Sequence, residues 1–443
     1  MPRFDIWGKF GFLDNPYSQD TLPATDVGSR LLAGRNSQIG EAQMLIGSRG
    51  STPTFEGPIG AGKTSLLNVA IYRMYEECLE EQDKSLWLPA VETIQPRLNA
   101  DEFEAEAYRI VLQTLIKHKA DFFRVGLGEL DLTRLDTWLN AAEYRSWTGG
   151  GGFATIAVNA GGGHEPNTSE GFVRSGFPAA IRSLLADAYS GGSGGVVCIL
   201  DNLEILGQVG QAREQLGVLR DRVLNVPGIR WVLCGSRGTV SRARAQRLSG
   251  VFKAPELIRP LTESEAIDAV ELRIKEYGAT MSIPPLTPEA FRFLYRVLDR
   301  NMRDAMNWAQ SFSHWLLAQY PQLNFPESDD RDELLKIWLT EQAEVAVSTA
   351  GQIQPRVWQF LDDLCRRGGR AGSSELEEKF GFEHQQQGTT AVTQLSSANL
   401  VVREADPEDG TRTINSVTAD GWLVYFYRSG FSSAFSKSRN GGS

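Results

Sequence analysis

Two hydrophobic patterns alternate along the first 260 residues. Apolar residues at positions 67, 70, 71 and 74 recur with the spacing of an amphipathic helix. The apolar runs VVCIL and WVLC are short and continuous instead, as in buried strands. Further helices are predicted from residue 39 onward, over 101–123 and over 177–189, and further strands over 52–56 and 85–94. Strands that alternate with helices predict an α/β fold, a parallel sheet with helices on both faces.

The next part of the chain has only the helical period. Thr262 and Glu265 form a capping box ahead of the segment AIDAVELRI, which predicts the start of a helix. Two further helices are predicted to begin at Thr287 and near Asn301. We interpret these helices as a lid domain that extends to about residue 320, followed by the charged connector PESDDRDELLKIW.

The C-terminal part has the element order of a winged helix-turn-helix. Apolar residues at positions 357, 360, 361 and 364 share one helical face and predict the first helix. Ser374 and Glu377 predict the cap of a short second helix, which Gly381 ends. A third helix is predicted over 386–397, and the segments LVVRE and TRTINSVT are predicted strands joined by the turn DPEDG.

These patterns predict five parts in the chain. They are an N-terminal segment (1–50), an α/β core (51–258), a helical lid with its connector (259–345), a winged helix (346–430) and a disordered tail (431–443). Residues 148–171 hold a short apolar run between glycine clusters, and we interpret them as a hairpin or loop insertion at the surface.

The composition limits the class of protein. The chain has 443 residues, of which 41% are hydrophobic, so it can form several globular domains. A formal net charge of −10 is unfavourable for non-specific nucleic-acid binding, so any DNA contact would be local. The four cysteines form no CxxC pair, and the four histidines lack metal-ligand spacing. With no apolar signal core and no run of about 20 apolar residues, the sequence predicts a cytoplasmic protein that does not bind membranes.

A complete phosphate-binding motif, G-x-x-x-x-G-K-[ST], lies between the first predicted strand and an amphipathic helix. Glycines in such a loop let backbone N–H groups point at phosphates, and the helix that follows adds its positive dipole end. The lysine would reach the β- and γ-phosphates, and the hydroxyl would bind Mg²⁺. The sequence therefore predicts an ATP site, with Mg²⁺, at Gly57, Pro58, Ile59, Gly60, Ala61, Gly62, Lys63 and Thr64, followed by Ser65.

Asp201 is the second predicted element of this site. It ends the apolar run VVCIL, and it lies about 140 residues after the loop. The carboxylate would come next to the phosphates and hold the magnesium ion together with Thr64. The P-loop and this acid predict a P-loop NTPase.

With these two motifs the sequence resembles the AAA+ ATPases, in particular the branch of origin-recognition initiators and related STAND-like ATPases. The segment LLAGRNSQI resembles the family's N-terminal box that contacts adenine, which implies that Arg35 binds the nucleotide. Ser236 follows the strand at 231–235, where the family has its polar first sensor. The segment NMRDA resembles the lid sensor motif, and this implies that Arg303 reaches the γ-phosphate.

The resemblance is incomplete at the catalytic base. Many such ATPases have an acid directly after the magnesium-binding aspartate, whereas this chain has Asn202. Glu204 is the candidate base, and an ordinary carboxylate at a helix start explains it equally well. Slow hydrolysis, or switching by nucleotide occupancy alone, therefore stays open. The lid motif also departs from the family, since Arg300 stands where glycine is frequent.

Family members that oligomerise supply an arginine to the site of a neighbouring subunit. Arg247 lies in about the right region, shortly before the lid. A solvated helix face explains the crowded arginines of this stretch equally well. The resemblance thus implies a homo-oligomer or a larger assembly, with Arg247 as one candidate for the shared residue.

The partner of the winged helix stays open between DNA and protein. Its third helix has glutamines and threonines but no Lys or Arg, and the turn DPEDG is acidic. Phosphate contacts usually supply most of the affinity for DNA. Our main hypothesis is an AAA+ ATPase that acts as a nucleotide-dependent switch on nucleic acid or a protein assembly. The alternatives are a STAND-like or defence-system ATPase whose winged helix binds proteins, and a P-loop kinase, against which the lid and winged helix argue.

Overall fold

The computed structural model describes most of the chain outside the glycine-rich insertion. The described residues are 5–48, 50–97, 99–130, 132, 143–145, 164–166, 177–189, 194–206, 217, 219–238, 252–405 and 412–430. Arg247, the turn DPEDG, the tail and most of the insertion at 148–171 lie outside them.

Fifteen helices and ten strands occur in the described residues. The helices are α1 (Ile6–Lys9), α2 (Asp26–Leu31), α3 (Asn36–Gly47), α4 (Lys63–Glu81), α5 (Ala100–Lys117), α6 (Lys119–Arg124), α7 (Phe177–Ala188), α8 (Glu263–Tyr277), α9 (Pro288–Val297), α10 (Met302–Gln319), α11 (Ser328–Thr349), α12 (Pro355–Arg366), α13 (Leu376–Phe380), α14 (Gln385–Ser397) and α15 (Ala419–Arg428). The strands are β1 (Thr54–Glu56), β2 (Trp87–Pro89), β3 (Glu143–Arg145), β4 (His164–Pro166), β5 (Gly195–Leu200), β6 (Ile229–Gly235), β7 (Glu256–Leu257), β8 (Arg370–Gly372), β9 (Val401–Ala405) and β10 (Thr413–Val417).

The chain divides into two compact units. The sheet unit consists of Leu22–Gly57 and Lys63–Ile258. The helical unit consists of Met1–Thr21, Pro58–Gly62 and Arg259–Ser443. The N-terminal segment that the sequence suggested as one part (1–50) is therefore shared between the units.

A five-stranded parallel sheet is the centre of the sheet unit. Its strand order is β2-β5-β6-β1-β7, so β6 lies between the P-loop strand β1 and the strand β5 that ends before Asp201. Every residue of β5 is buried, which requires covered surfaces on both sides of the sheet. The predicted α/β fold with a parallel sheet is confirmed. Because parallel strands end at the same edge, this order brings Gly57, Asp201 and Ser236 to one edge.

The helix predicted over 101–123 is two helices. It breaks at His118, which follows α5 and precedes α6. The strands β1 and β2 are shorter than the predicted segments, and beyond them single bridges continue the pairing at Thr52 and Ile94. Periodicity predicted the existence of these elements, whereas hydrogen bonding sets their ends.

The lid helices begin where the sequence predicts. Thr262 and Glu265 form the expected capping box of α8, Thr287 caps α9 and Asn301 caps α10. The segment that was expected to be a charged connector lies mostly in the 22-residue helix α11. One side of α11 buries Leu335, Trp338, Leu339 and Ala343, while most of its acidic residues are exposed.

The last part of the helical unit has the element order α12, β8, α13, α14, β9, β10 that a winged helix requires. The predicted Ser374–Glu377 cap is wrong. The backbone N–H of Gly372 instead donates to Glu375 Oε2 at 3.0 Å, and a short 3₁₀ turn precedes α13. Gly381 ends α13 in the left-handed conformation, as expected.

The helix α15 was not predicted and joins this part to the lid. It packs against α9, α11 and α12, and it buries Trp422, Leu423 and Val424. One hydrophobic core therefore extends from the lid helices through the C-terminal elements. No helix in the described part of the chain is both long and apolar enough to cross a membrane.

Candidate nucleotide site

The P-loop begins at the end of β1, where close packing requires glycine. The Gly57 N–H donates to Gly235 O at 3.3 Å, so the loop start is tied to the end of β6. A Cβ atom at Gly57 would lie 2.4 Å from the carbonyl oxygen of Ile258, which is too close for any side chain. After the loop, α4 starts at Lys63. This is the strand–loop–helix context that a phosphate-binding motif needs.

The tip of the loop, Pro58–Gly62, belongs to the helical unit. The Ala61 N–H donates to Pro58 O at 3.2 Å and closes a turn. Gly60 and Gly62 have φ angles of +78° and +76°, which other residues rarely adopt. A Cβ atom at Gly60 would lie 2.3 Å from Asn301 Oδ1 and 3.3 Å from Arg303 Cβ. The predicted lid sensor residues are thus next to the loop tip within that unit.

Thr64 and Asp201 meet in the sheet unit. The hydroxyl of Thr64 donates to Asp201 Oδ2 at 2.5 Å. The other carboxylate oxygen, Oδ1, accepts the backbone N–H of Asn202 at 2.8 Å. Both oxygens of Asp201 are therefore held in place. The ammonium group of Lys63 donates to Gly57 O at 3.1 Å, which keeps it over the loop start.

The oxygen atoms of Thr64 and Asp201 suit magnesium. Mg²⁺ prefers hard oxygen ligands and usually takes one or two from protein, with water and phosphate oxygens completing the octahedron. No group of three or more His, Cys, Asp or Glu side chains able to hold a metal occurs in the described residues. A metal held by this hydroxyl and carboxylate would have water and the phosphate oxygens of a bound nucleotide as its other ligands.

Asn202 directly follows Asp201, and its backbone is unusual. Its φ is +58°, a left-handed conformation that asparagine tolerates better than most residues. Its carbonyl oxygen accepts the N–H of Ile205 at 2.9 Å, which closes the 3₁₀ turn Leu203–Leu206. The side chain of Glu204 lies outside the described structure, so its assignment as base stays a prediction.

A buried acid that the sequence did not single out stands at this edge. Glu56, which directly precedes the P-loop, is 2% exposed and accepts the N–H of Gly238 at 2.8 Å through Oε2. It holds the segment after β6, where Ser236 is half-buried and Arg237 exposed. Nothing in the sequence distinguishes Glu56 from a surface acid, because only the parallel pairing of β1 with β6 brings it there.

Arg35 and Ser65 both belong to the sheet unit. Arg35 is buried at the start of α3, and its Nη1 donates to Gln38 Oε1 at 3.0 Å. The hydroxyl of Ser65 accepts the backbone N–H of Leu22 at 3.1 Å. The segment around Leu22, which the sequence did not indicate as part of the site, is therefore attached to the first turn of the P-loop helix.

The residues predicted to form the lid sensor lie at the start of α10. Asn301 Oδ1 accepts the N–H groups of Arg303 at 3.1 Å and of Asp304 at 3.3 Å. Arg303 is exposed. Burial raises the pKa of Asp304. Arg247, the candidate for a shared arginine, lies outside the described residues.

The chain aligns along most of its length with several solved structures. The ORC1 protein of Aeropyrum pernix in complex with DNA is 14% identical, with 94% of this chain and 95% of that chain covered and a TM-score of 0.42. The ORC2 protein of Aeropyrum pernix, in ADPNP–ADP complexes, is 12% identical, with coverages of 95% and 98% and a TM-score of 0.45. Cdc6p of Pyrobaculum aerophilum is 13% identical, with coverages of 95% and 99% and a TM-score of 0.39.

No protein-family model matches the chain, and no curated protein sequence matches it either. The assignment of the fold rests on the strand order and on the position of the P-loop between β1 and α4.

Proposed function

We propose that the chain is an ATP-binding ATPase of the AAA+ type that uses Mg²⁺ and acts as a nucleotide-dependent switch. The hydrogen bond of 2.5 Å between Thr64 Oγ1 and Asp201 Oδ2 carries the proposal. It joins the last residue of a complete P-loop motif to the acid that ends a buried central strand. These two residues are 137 positions apart, and they meet where a P-loop protein needs its metal ligands.

Each residue of the site has a role in this proposal. The N–H groups at the start of α4 donate to phosphate oxygens, and Lys63 neutralises phosphate charge. Thr64 and Asp201 hold the metal, and the N–H of Asn202 fixes the carboxylate that does so. Bound magnesium stabilises the negative charge that develops on the transferred phosphoryl group. Following the resemblance, we assign Ser236 and Arg303 to the γ-phosphate, and Arg35 to the base side.

The proposal also includes hydrolysis of ATP, which requires a catalytic base and a group that stabilises the transition state. An asparagine side chain cannot accept a proton from water at neutral pH, so Asn202 cannot be the base. Glu204 is the assigned candidate, and Arg247 of a neighbouring subunit is the assigned transition-state arginine. A protein without an acid next to its magnesium ligand fits slow turnover, in which occupancy by ATP rather than rapid hydrolysis sets the state of the switch.

The proposal is tested by direct binding of Mg-ATP to the full chain, with calorimetry. We expect Lys63→Ala to weaken binding by about 10- to 100-fold, because a charge-assisted contact to phosphate is lost. Lys84→Ala is the control, since Lys84 is an exposed lysine of the same unit. Near-normal affinity of a folded Lys63→Ala variant would refute the ATP site. In parallel, Asp201→Asn should retain nucleotide binding and lose magnesium-dependent turnover.

A second candidate function, docking of a protein through the winged helix, is favoured by the surface of α14. Thr389, Thr390 and Thr393 are exposed, but their hydroxyls donate to carbonyl oxygens four residues earlier in the helix. Donors used in this way are not available to base edges. The nearest described cation is Arg403 of β9, which donates to Thr389 O and Thr393 Oγ1. This surface thus has few groups for phosphate contacts.

A further inference from the structure

Polar side chains on one face of the P-loop helix α4 bond to the chain segment that precedes α3. The N–H of Leu22 donates to Ser65 Oγ at 3.1 Å, and Asn68 Nδ2 donates to Leu22 O at 2.9 Å. Two side chains of neighbouring turns therefore satisfy both backbone groups of one residue. Leu22 is itself buried, so neither backbone group has free access to water in place of these partners.

A third side chain of α4 continues this contact further along the helix. Arg73 donates from Nε to Ser29 Oγ at 3.0 Å and from Nη2 to Ser29 O at 3.4 Å. Its Nη1 donates to Asn36 Oδ1 at 3.3 Å, at the start of α3. All three acceptors are neutral oxygens. Such an arrangement fixes the direction of the attached segment, because a planar guanidinium group needs acceptors at set angles.

Ser65, Asn68 and Arg73 lie within an arc of about 140° on the helix, at 100° per residue. From Ser65 to Arg73 the helix rises about 12 Å. Residues 22–36 are thus held along the first turns of α4, directly behind the residues assigned to the phosphates. Arg35, which the proposed function assigns to the base side of the nucleotide, lies in this segment.

We propose that Asn68 and Arg73 are positioning residues that hold residues 22–36 as the base-side wall of the nucleotide site. The inference rests on the proposed ATP site. It assigns to these two side chains the base-dependent part of the affinity, while the loop and Lys63 supply the phosphate-dependent part. Loss of Asn68 leaves the buried carbonyl of Leu22 without its donor and releases the wall from the helix.

The experiment compares two ligands of the full chain in the presence of Mg²⁺, ATP and inorganic tripolyphosphate, which has the phosphates but no base. The variants are Asn68→Leu, which keeps the branched shape but removes the donor, and Arg73→Met, which keeps the apolar stem. The control is Tyr72→Phe on the same helix, because the Tyr72 hydroxyl bonds only to Glu76, four residues along α4. Thermal unfolding is recorded for each variant.

We expect Asn68→Leu and Arg73→Met to weaken ATP binding about tenfold, the equivalent of one buried hydrogen bond. Their affinity for tripolyphosphate should stay within twofold of wild type, and Tyr72→Phe should change neither. An equal loss of affinity for both ligands, or no loss for either, would overturn the inference while leaving the ATP site intact. Failure of the wild type to bind either ligand would instead refute the proposed function.

A milder variant covers the case in which Asn68→Leu does not fold. Ser65→Ala removes only the acceptor for the Leu22 N–H and keeps the backbone N–H of residue 65 for phosphate. It should shift the ratio of the two affinities in the same direction. An unchanged ratio in folded Ser65→Ala together with folded Arg73→Met would count against the inference.

Discussion

At the scale of single residues, the site is organised around the carboxylate of Asp201. Thr64 holds one of its oxygens and the N–H of Asn202 holds the other. Directly after this bond the chain turns into the left-handed conformation, with a φ of +58° at Asn202. A glutamate in place of Asn202 would be strained in that conformation, whereas glycine, asparagine and aspartate tolerate it. Asn202 stands where many related ATPases have an acid. Its tolerance of the left-handed conformation therefore gives it a structural role at this position.

This function gives a prediction for the stability of Asn202 variants. Asn202→Gly should change the free energy of unfolding by less than about 0.5 kcal/mol, because glycine adopts positive φ without strain. Asn202→Ala should cost about 1 kcal/mol or more, since alanine does not. Urea unfolding of the two variants side by side is the measurement. Equal stabilities would show that the conformation at this position is not a constraint.

The sequence was sufficient for the residues whose motif has a fixed spacing. Gly57, Lys63, Thr64 and Asp201 could be predicted because a strand–loop–helix unit and the end of a buried strand determine their places. Glu56, Asn68 and Arg73 could not be predicted in this way. Their partners lie in distant segments, and each has the appearance of an ordinary polar residue until β1, β6 and the segment before α3 are placed together.

At the scale of elements, the break between α5 and α6 depends on a buried polar cluster at His118. The ring Nδ1 lies 3.0 Å from Asp121 Oδ2, which also accepts the hydroxyl of Tyr75 at 2.7 Å. The other ring nitrogen, Nε2, is buried and has no hydrogen-bond partner in the described structure. Burial lowers the pKa of His118, although the bond to Asp121 opposes this shift.

The lowered pKa of His118 predicts a loss of stability in mild acid. Its usual value is 6.5. Below that pH the unfolded chain takes up a proton that the folded chain resists, so folding loses up to about 1.4 kcal/mol per pH unit until the folded pKa is reached. Asp121 does not contribute in this window, because its pKa lies below 3.8: burial raises it, but hydrogen bonds from Tyr75 and His118 outweigh that.

Urea unfolding at pH 7.5 and pH 5.5 measures this effect. In His118→Asn, which keeps a donor for Asp121 but does not titrate, the loss of stability between the two pH values should be smaller than in wild type. His314→Asn is the control, because His314 is exposed on α10. A pH dependence in His118→Asn as steep as in wild type would contradict the assignment.

Elements with a clear period could be predicted, and those defined by tertiary contacts could not. The lid helices α8, α9 and α10 have capping residues at their starts, and the sequence predicted all three. The helix α11 was not predicted because charged residues dominate its sequence and only four of its residues are buried, although these four have helical spacing. The cap before α13 was misplaced because the acid that accepts the capping N–H is Glu375, and its donor Gly372 has no side chain that a sequence pattern could indicate.

At the scale of the whole molecule, the C-terminal winged-helix elements are not a separate body. They share one hydrophobic core with the lid, through α15. The sequence suggested a boundary near residue 346, because periodicity cannot tell whether two neighbouring groups of helices have one core or two. Tests of what this part binds therefore require the full chain.

We expect the full chain without nucleotide to bind duplex DNA weakly or not at all at physiological salt. The reason is the shortage of cations on α14, since each phosphate contact contributes a salt-dependent gain in affinity. If DNA binding occurs, it should require ATP and assembly, which add the basic groups of several subunits along one duplex.

Fluorescence anisotropy of a labelled duplex across a salt series, with and without Mg-ATP, is the measurement, with Lys63→Ala as the control that lacks nucleotide. Submicromolar binding without ATP and with a steep salt dependence would favour a direct DNA reader. Absence of binding in every state would favour the protein-docking candidate.

The helical unit is built from both ends of the chain, and this has a consequence for its synthesis. Phe10 stacks on Phe325, with ring centroids 4.7 Å apart, and Tyr17 stacks on Phe291. About 300 residues separate these partners, so the N-terminal aromatic residues leave the ribosome on the order of tens of seconds before them, at 5–20 residues per second. The last residue of the sheet unit, Ile258, precedes Phe291 and Phe325 by only a few seconds of synthesis at this rate. During the interval the first 21 residues expose apolar side chains, which makes the nascent chain, rather than the folded protein, the form most prone to aggregation.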